Sequence, residues 1–593
     1  MTRRLLLALF TAALLSAQAP DSFMPWAYFP QNCAKCHGNP ETPRAPSQAS
    51  LRKLAPEAIY AAITTGSMSG QAAGLSDANK SALAEYLAER RLGIAAVGDL
   101  KGMTNVCASK PLFDNLTRRG WNGYGLEPGN TRFQTSAAGG IARSDLPNLK
   151  LKWAFGFPGV TQVWGQSSVV SDTVFIGVDT GYVYAINAKT GCAHWSFLAD
   201  AGVRTAPRVD ILPNKRAVAW FGDLKANAYA VDAATGVLIW KTNLDSHVRA
   251  RITAAPAYFE GRLYFPLSST EEVSPPPPLY ECCTFRGSVA ALDAESGRKI
   301  WQTYTIAETP HRASNNDKSL QPWGPAGGAV WGSPAIDSKK RALYMATGDA
   351  YTEPAPDTTD AVMALDLKTG NVLWSVQDLP NDAWLVGCPS PDNANCPKHV
   401  GPDFDFGAAP ILANLPGGKR ALLAGQKSGI IWAHDPDAKG ALLWKTDISR
   451  SKADPRGEIV WGGAADSTNV YYGLTSGGVV AVRLTDGKKA WLTPISIAGK
   501  PTGMPGAVTV IPGAVFSGGL DGMIRALSPE DGSVIWEYDT ARETPTVNGI
   551  SGKGGSIGAA GPVIAGGMLY VSSGYVGVVD GTPGNLLLAF SPK

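Results

Sequence analysis

The chain has 593 residues, of which 17% are charged, with a formal net charge of +3 and an abundance of Gly (66), Pro (43) and Trp (17). So few charges, so nearly balanced, exclude a basic nucleic-acid-binding surface, and the share of apolar residues excludes a disordered chain. Length alone allows several domains.

Met1-Thr2-Arg3-Arg4 is a short basic start, and the apolar run Leu5 to Leu15 ends in small residues at Ala17 and Ala19. This reads as a secretory signal over residues 1–19, too short for a lasting membrane anchor, with the cleavage point open because Pro20 follows. No later run resembles a membrane span. The expectation is a protein without a transmembrane anchor in an oxidising compartment, most simply a periplasm.

Residues 33–37 read Cys33-Ala34-Lys35-Cys36-His37. Two cysteines three apart, followed at once by His, are the pattern that holds haem c, the thiols taking the vinyl groups and His37 one axial site of the iron. A second axial ligand is expected, and thioether sulfur suits ferrous iron. Met68, in Thr65-Gly66-Ser67-Met68-Ser69-Gly70, is the candidate, with Met24 as its rival. Helical stretches are expected around Leu51 to Ile63 and from Ser76 to Arg91, the second opened by Ser-x-x-Asn. Together these make a small all-α cytochrome c domain over 20–95, followed by a lead-in at 96–140.

From there one phrase recurs, Ala-x-Asp-x-x-x-Gly-x-x-x-Trp, strictly or loosely. Its tryptophans are Trp195, Trp240, Trp301, Trp374, Trp444, Trp491 and Trp536. An eighth copy is split: Ala589-Phe590-Ser591 begins it at the end of the chain, and Leu149 to Trp153 supplies the Trp strand near the start. A split repeat closes a ring and removes the open sheet edge. The fold expected for 141–593 is an all-β, eight-bladed β-propeller, each copy being a strand, a tight turn and a strand whose Trp wedges between blades.

This repeat in eight copies resembles that of the pyrroloquinoline quinone (PQQ) dehydrogenases. The stretches Ala329 to Asp337, Tyr344 to Asp349 and Thr359 to Asp366 resemble the core of quinoprotein alcohol dehydrogenases. The resemblance implies PQQ and calcium as cofactors. Trp331 would be the floor on which the quinone stacks. Asp349 would be a calcium ligand where the family has Asn, and Asp360 the general base.

A second calcium ligand implied by the family is Glu272, with Glu281 as rival across the insertion Pro275 to Pro278. Cys282 and Cys283 are adjacent; a bond between them closes an eight-membered ring, which the family uses as a lid over PQQ, there in an earlier blade. Cys388 and Cys396 bracket a loop and are expected to pair, leaving Cys107 with Cys192. Lys427 and Asn548 lie in polar stretches that resemble quinone-facing loops of the polyvinyl alcohol dehydrogenase branch, as does Gly401 to Gly407. That branch also has the cytochrome ahead of the propeller. The resemblance implies an alcohol substrate, polymeric in that branch, oxidation of secondary alcohols to ketones, and a soluble cytochrome c as acceptor. The alternatives are another alcohol or a sugar, or a noncatalytic propeller scaffold with a cytochrome head.

Overall fold

A computed structural model describes residues 23–37, 42, 45–113, 120–274, 280–313, 321–449, 458–577 and 581–592. The signal expected at 1–19 and the proline run 275–278 lie outside the described residues.

The N-terminal region is helical: α1 (Pro25–Asn32), α2 (Gln48–Leu51), α3 (Pro56–Thr64) and α4 (Asp77–Ala88). The helix expected from Leu51 to Ile63 is two helices, because Pro56 cannot donate a backbone hydrogen bond and its fixed φ suits a helix start rather than an interior. Ser76 caps α4 as expected, accepting from the Asn79 amide at 3.2 Å. That helix stops short of Arg91, on Glu89, which is left-handed (φ 51°). Phe29, Ile59, Ile63, Leu83 and Leu87 form the core, with Cys33 and Met68 packed against it. The helix α1, ahead of the Cys-x-x-Cys-His run, was not among the expected elements.

Among the described residues, the rest of the chain forms eight antiparallel blades, seven of four strands and one, the third, of five. Blade 1 runs over 168–198, blade 2 over 208–243, blade 3 over 250–304 and blade 4 over 335–377. Blades 5, 6 and 7 run over 411–447, 464–493 and 509–539. Blade 8 joins Val563–Ala565, Met568–Ser573 and Leu586–Ser591 to Lys150–Gly156, the strand that the split repeat predicts.

The recurring phrase has a direct physical meaning. Except for Trp536, which meets Phe590 of the split repeat, each of these tryptophans lies over the turn glycine of the next blade: a Cβ on Gly236 would approach the Trp195 ring to 2.7 Å, and one on Gly487 would approach Trp444 to 2.6 Å. Both glycines also have φ near +70°, which a side chain resists. The indole N–H groups of Trp195 and Trp444 donate to Ala233 O and Leu484 O, at 2.9 Å each. Between blades, apolar area is thus removed from water without stranding the polar edge of the indole.

The lead-in holds more structure than its sequence announces. Trp121 exchanges backbone hydrogen bonds with Val169, and the carbonyls of Pro128, Gly129, Thr131 and Arg132 accept from Ile336, Leu412, Ala465 and Val510. Asn122 grips Val209 through its side chain, and Gln134 reaches Ile564 O. A single strap therefore ties the first strand of every blade but the third across one end of the ring. Upstream, the Cys107–Cys192 disulfide fastens the chain to blade 1.

Candidate cofactor and metal centre

In the helical region Cys33 and Cys36 are free thiols, the remaining described cysteines being paired as Cys107–Cys192, Cys282–Cys283 and Cys388–Cys396. The Nδ1 atom of His37 lies 2.7 Å from Pro46 O. Donation to that carbonyl leaves Nε2 as the free, unprotonated nitrogen, which is what an iron ligand requires. Met68 packs on the same core as Cys33, whereas Met24 is 48% exposed and precedes α1. The donor set fits a covalently held haem.

In the propeller, Trp331 follows directly on a buried Ala329-Val330 pair and belongs to the apolar cluster that includes the Cys282–Cys283 ring. Its indole rests on Gly407, where a Cβ would come within 2.4 Å of the ring, and meets Trp461 edge-on at 5.3 Å. A central cavity is lined by Tyr124, Trp164, Arg204, Trp331 and Trp461. The Arg204 guanidinium lies 4.0 Å from the Trp461 ring centre. Flat aromatic walls with a cation fit a planar anionic group.

Beside Trp331 lies a cluster of acids. Carboxylate oxygens of Asp349, Asp403 and Asp405 stand within 4.8 Å of one another, all three residues buried. Asp405 accepts from the Asp349 amide at 2.6 Å through Oδ1 and from Lys427 Nζ at 2.6 Å through Oδ2. Lys427 also donates to Asp403 at 2.7 Å and sits 5.3 Å over Trp331. The Oδ2 atom of Asp349 has no partner.

The electrostatics are those of too many acids in one place. Burial, and then the neighbouring Asp405 and Glu272, push Asp349 well above the usual carboxylate range. Burial and Asp405 push Glu272 up to about 7. Burial acts the same way on Asp405, but Lys427 outweighs it and holds that carboxyl below its ordinary value. A buried, crowded set of hard oxygens with an unsatisfied one is chemically suited to a hard cation such as calcium.

Several sequence expectations change on this geometry. Asp360 is buried with φ 47°, and neither carboxylate oxygen has a partner. Burial, then Asp382 and Asp405, raise its pKa well above the usual carboxylate range. Glu281 is at the surface, paired with Arg312 at 2.9 Å, whereas Glu272 is the one that the acids act on. Asn548 does not face the cavity. Its amide is saturated by the backbone of Gly156, accepting at 3.0 Å and donating at 2.8 Å, so it clasps blade 8.

Asp403 and Asp405 lie in the stretch Gly401 to Gly407 named above without a role of their own, and Arg204 and Trp461 were not singled out from the sequence. The pattern Asp403-Phe404-Asp405-Phe406 carried a usable signal in its two closely spaced acids, although Asp403 is left-handed (φ 61°) rather than extended. Glu271, next to Glu272, is instead structural: it is fully buried and accepts from Tyr280, Thr284 and Phe285.

Comparison with known proteins agrees with this arrangement. Residues 121–447 match the family described as glucose/ethanol/alcohol dehydrogenase, beta-propeller domain (PQQ), and residues 25–87 match cytochrome C oxidase, cbb3-type, subunit III. The chain is 39% identical to a polyvinylalcohol dehydrogenase of a Pseudomonas species, over 99% of this chain and 96% of that one. It is 38% identical to another from a Sphingopyxis species, over 94% and 91%. A solved quinohemoprotein alcohol dehydrogenase of Pseudomonas putida shares the fold, with a TM-score of 0.61 over 80% of each chain at 18% identity. Among the described residues, no helix is long and apolar enough to cross a membrane.

Proposed function

This chain belongs to the PQQ-dependent alcohol dehydrogenases, and within them to the polyvinyl alcohol dehydrogenases, and from that premise we propose that it oxidises secondary alcohol groups along a polymer to ketones in a periplasm. Electrons leave through haem c to a soluble cytochrome c. The observation that carries this reading is the acid cluster of Asp349, Asp403 and Asp405 with Lys427 beside the Trp331 floor.

PQQ and a divalent cation, when bound, would supply the electrophilic carbonyl to which an alcohol can lose hydride. Trp331 forms the floor, and the Cys282–Cys283 ring belongs to the same cluster. Arg204 offers a counter-charge to an anionic cofactor, and Lys427 is placed to donate a hydrogen bond at the edge of Trp331. Asp349, Asp403 and Glu272 are the residues we assign to the cation. Asp405 is our assignment for the base that takes the hydroxyl proton, because the ammonium of Lys427 keeps it ionised and two donors fix its orientation. Asp360, buried and with no hydrogen-bond partner on either carboxylate oxygen, is the rival for that role. In the helical region Cys33, Cys36 and His37 would hold the haem, with Met68 as the candidate for a further iron ligand.

The test is the haem spectrum of purified protein loaded with PQQ and calcium, before and after polyvinyl alcohol and, separately, 2-propanol. Reduction that needs the quinone, survives in Asp360→Asn and is lost in Asp405→Asn supports both the reading and the assignment. Loss in Asp360→Asn alone returns the base to Asp360, and haem that stays oxidised with every alcohol overturns the reading.

A further inference from the structure

Apart from the central site, one charged cluster joins the helical region to the propeller. It centres on Glu89, the left-handed residue that ends α4. Gly or Asn ordinarily serves there, so this Glu stands against its backbone preference. Its side chain explains the choice. Oε2 accepts from Arg52 Nε at 2.8 Å and Oε1 from Arg251 Nη2 at 2.9 Å. Both arginines are 8% exposed.

The remaining donors of Arg52 enter the propeller: Nη2 reaches Leu224 O at 2.9 Å and Ala250 O at 3.1 Å. An exposed ion pair contributes little, but a carboxylate bridging two buried guanidinium groups is hard to dispense with, since its loss strands both. A second, more open contact is made by Arg91, which donates to Gly159 O and Thr161 Oγ1 at 2.8 and 2.7 Å.

The bridge leads to both redox sites. On the helical side, the carbonyl that orients His37 is Pro46 O, six residues before Arg52 in one short segment. On the propeller side, Nη1 of Arg52 is 3.4 Å from His247 O. The His247 ring lies 3.1 Å from Thr284 Oγ1, directly after the Cys282–Cys283 ring, and 3.4 Å from Glu271, the neighbour of Glu272.

We propose that Arg52, Glu89 and Arg251 form a positioning clamp that fixes the haem-bearing domain on the propeller beside the Cys282–Cys283 turn, and thereby sets the rate of electron transfer to the haem. The inference rests on the reading under Proposed function. Each alcohol oxidised yields two electrons; the haem iron takes them singly, ferric to ferrous, and passes each to the external cytochrome c before the next. The clamp touches neither substrate nor iron.

Glu89→Gln and Arg251→Gln, each in the PQQ- and calcium-loaded full chain, test it with three readouts. Stopped-flow reduction of the haem by alcohol should slow about tenfold, as misplacement of a reacting partner does. Turnover with phenazine methosulfate, which collects electrons without the haem, should stay within about twofold of wild type because the propeller site is untouched. Hydrogen exchange at 46–54 and 247–252 should quicken in both variants. Unchanged haem reduction overturns the proposal, as does an equal fall in dye turnover and haem reduction, which would mark a merely structural role. If wild type shows no alcohol-driven haem reduction at all, the functional reading fails, whereas unchanged exchange in the variants removes the clamp itself.

Discussion

Two buried charged centres sit in the propeller region, and they are built oppositely. Under the strap, Arg132 is fully buried, and its nitrogens donate to Val508 O, Tyr124 O, Gln166 and Thr509 while its guanidinium stacks on Trp121 and Tyr124. The acid cluster has Lys427 as its buried cation, an oxygen of Asp349 with no partner, and Asp360 with none on either oxygen. A buried charge that the protein satisfies alone is architecture. One that it leaves unsatisfied is an address for something else.

The sharpest way to break this contrast is to remove the cation from each centre. Arg132→Met should cost roughly 3–5 kcal/mol in denaturant unfolding, by stranding several buried carbonyls, and no added ion should recover it. Lys427→Met should cost somewhat less, about 2–4 kcal/mol, by leaving Asp403 and Asp405 unpaired, and millimolar calcium should restore much of the loss because a metal can take the ammonium's place. Equal insensitivity of both variants to calcium would erase the distinction.

Two smaller changes sharpen it. Asn548→Ala should lower stability by about 1–3 kcal/mol through the lost clasp on Gly156 while leaving PQQ affinity unchanged, which equilibrium dialysis measures. Gly236→Ala should cost about 1–2 kcal/mol from its positive φ and the Trp195 contact, with the alcohol-driven haem signal intact in the folded fraction.

How much of this was legible in the sequence follows the same division. The blades were readable because each repeat encodes its own turn and its contact to the next blade, as Gly487 under Trp444 illustrates. Cys33-Ala34-Lys35-Cys36-His37 was readable because haem attachment needs those groups at that spacing. The strap was not, because 121–135 has no periodicity of its own and takes its shape from seven separate blades. The acid centre was half readable. Asp349 and Trp331 stand in stretches that resemble a family, and Lys427 in another. Asp405 comes to Lys427 only through long-range folding after the loop closed by Cys388–Cys396. Asp360 could be named from its stretch, but a sequence does not show that its carboxylate is buried with no hydrogen-bond partner on either oxygen. Glu281 and Asn548 failed, each being spent on a local partner, Arg312 and Gly156.

The central claim is that the unsatisfied acids form a cation site. Its most direct test is equilibrium dialysis of the PQQ-loaded protein against calcium, comparing wild type with Asp349→Ala. The account predicts one retained calcium per chain in wild type and its loss in the variant, with far-ultraviolet circular dichroism unchanged. Retention of the same calcium by folded Asp349→Ala would contradict it.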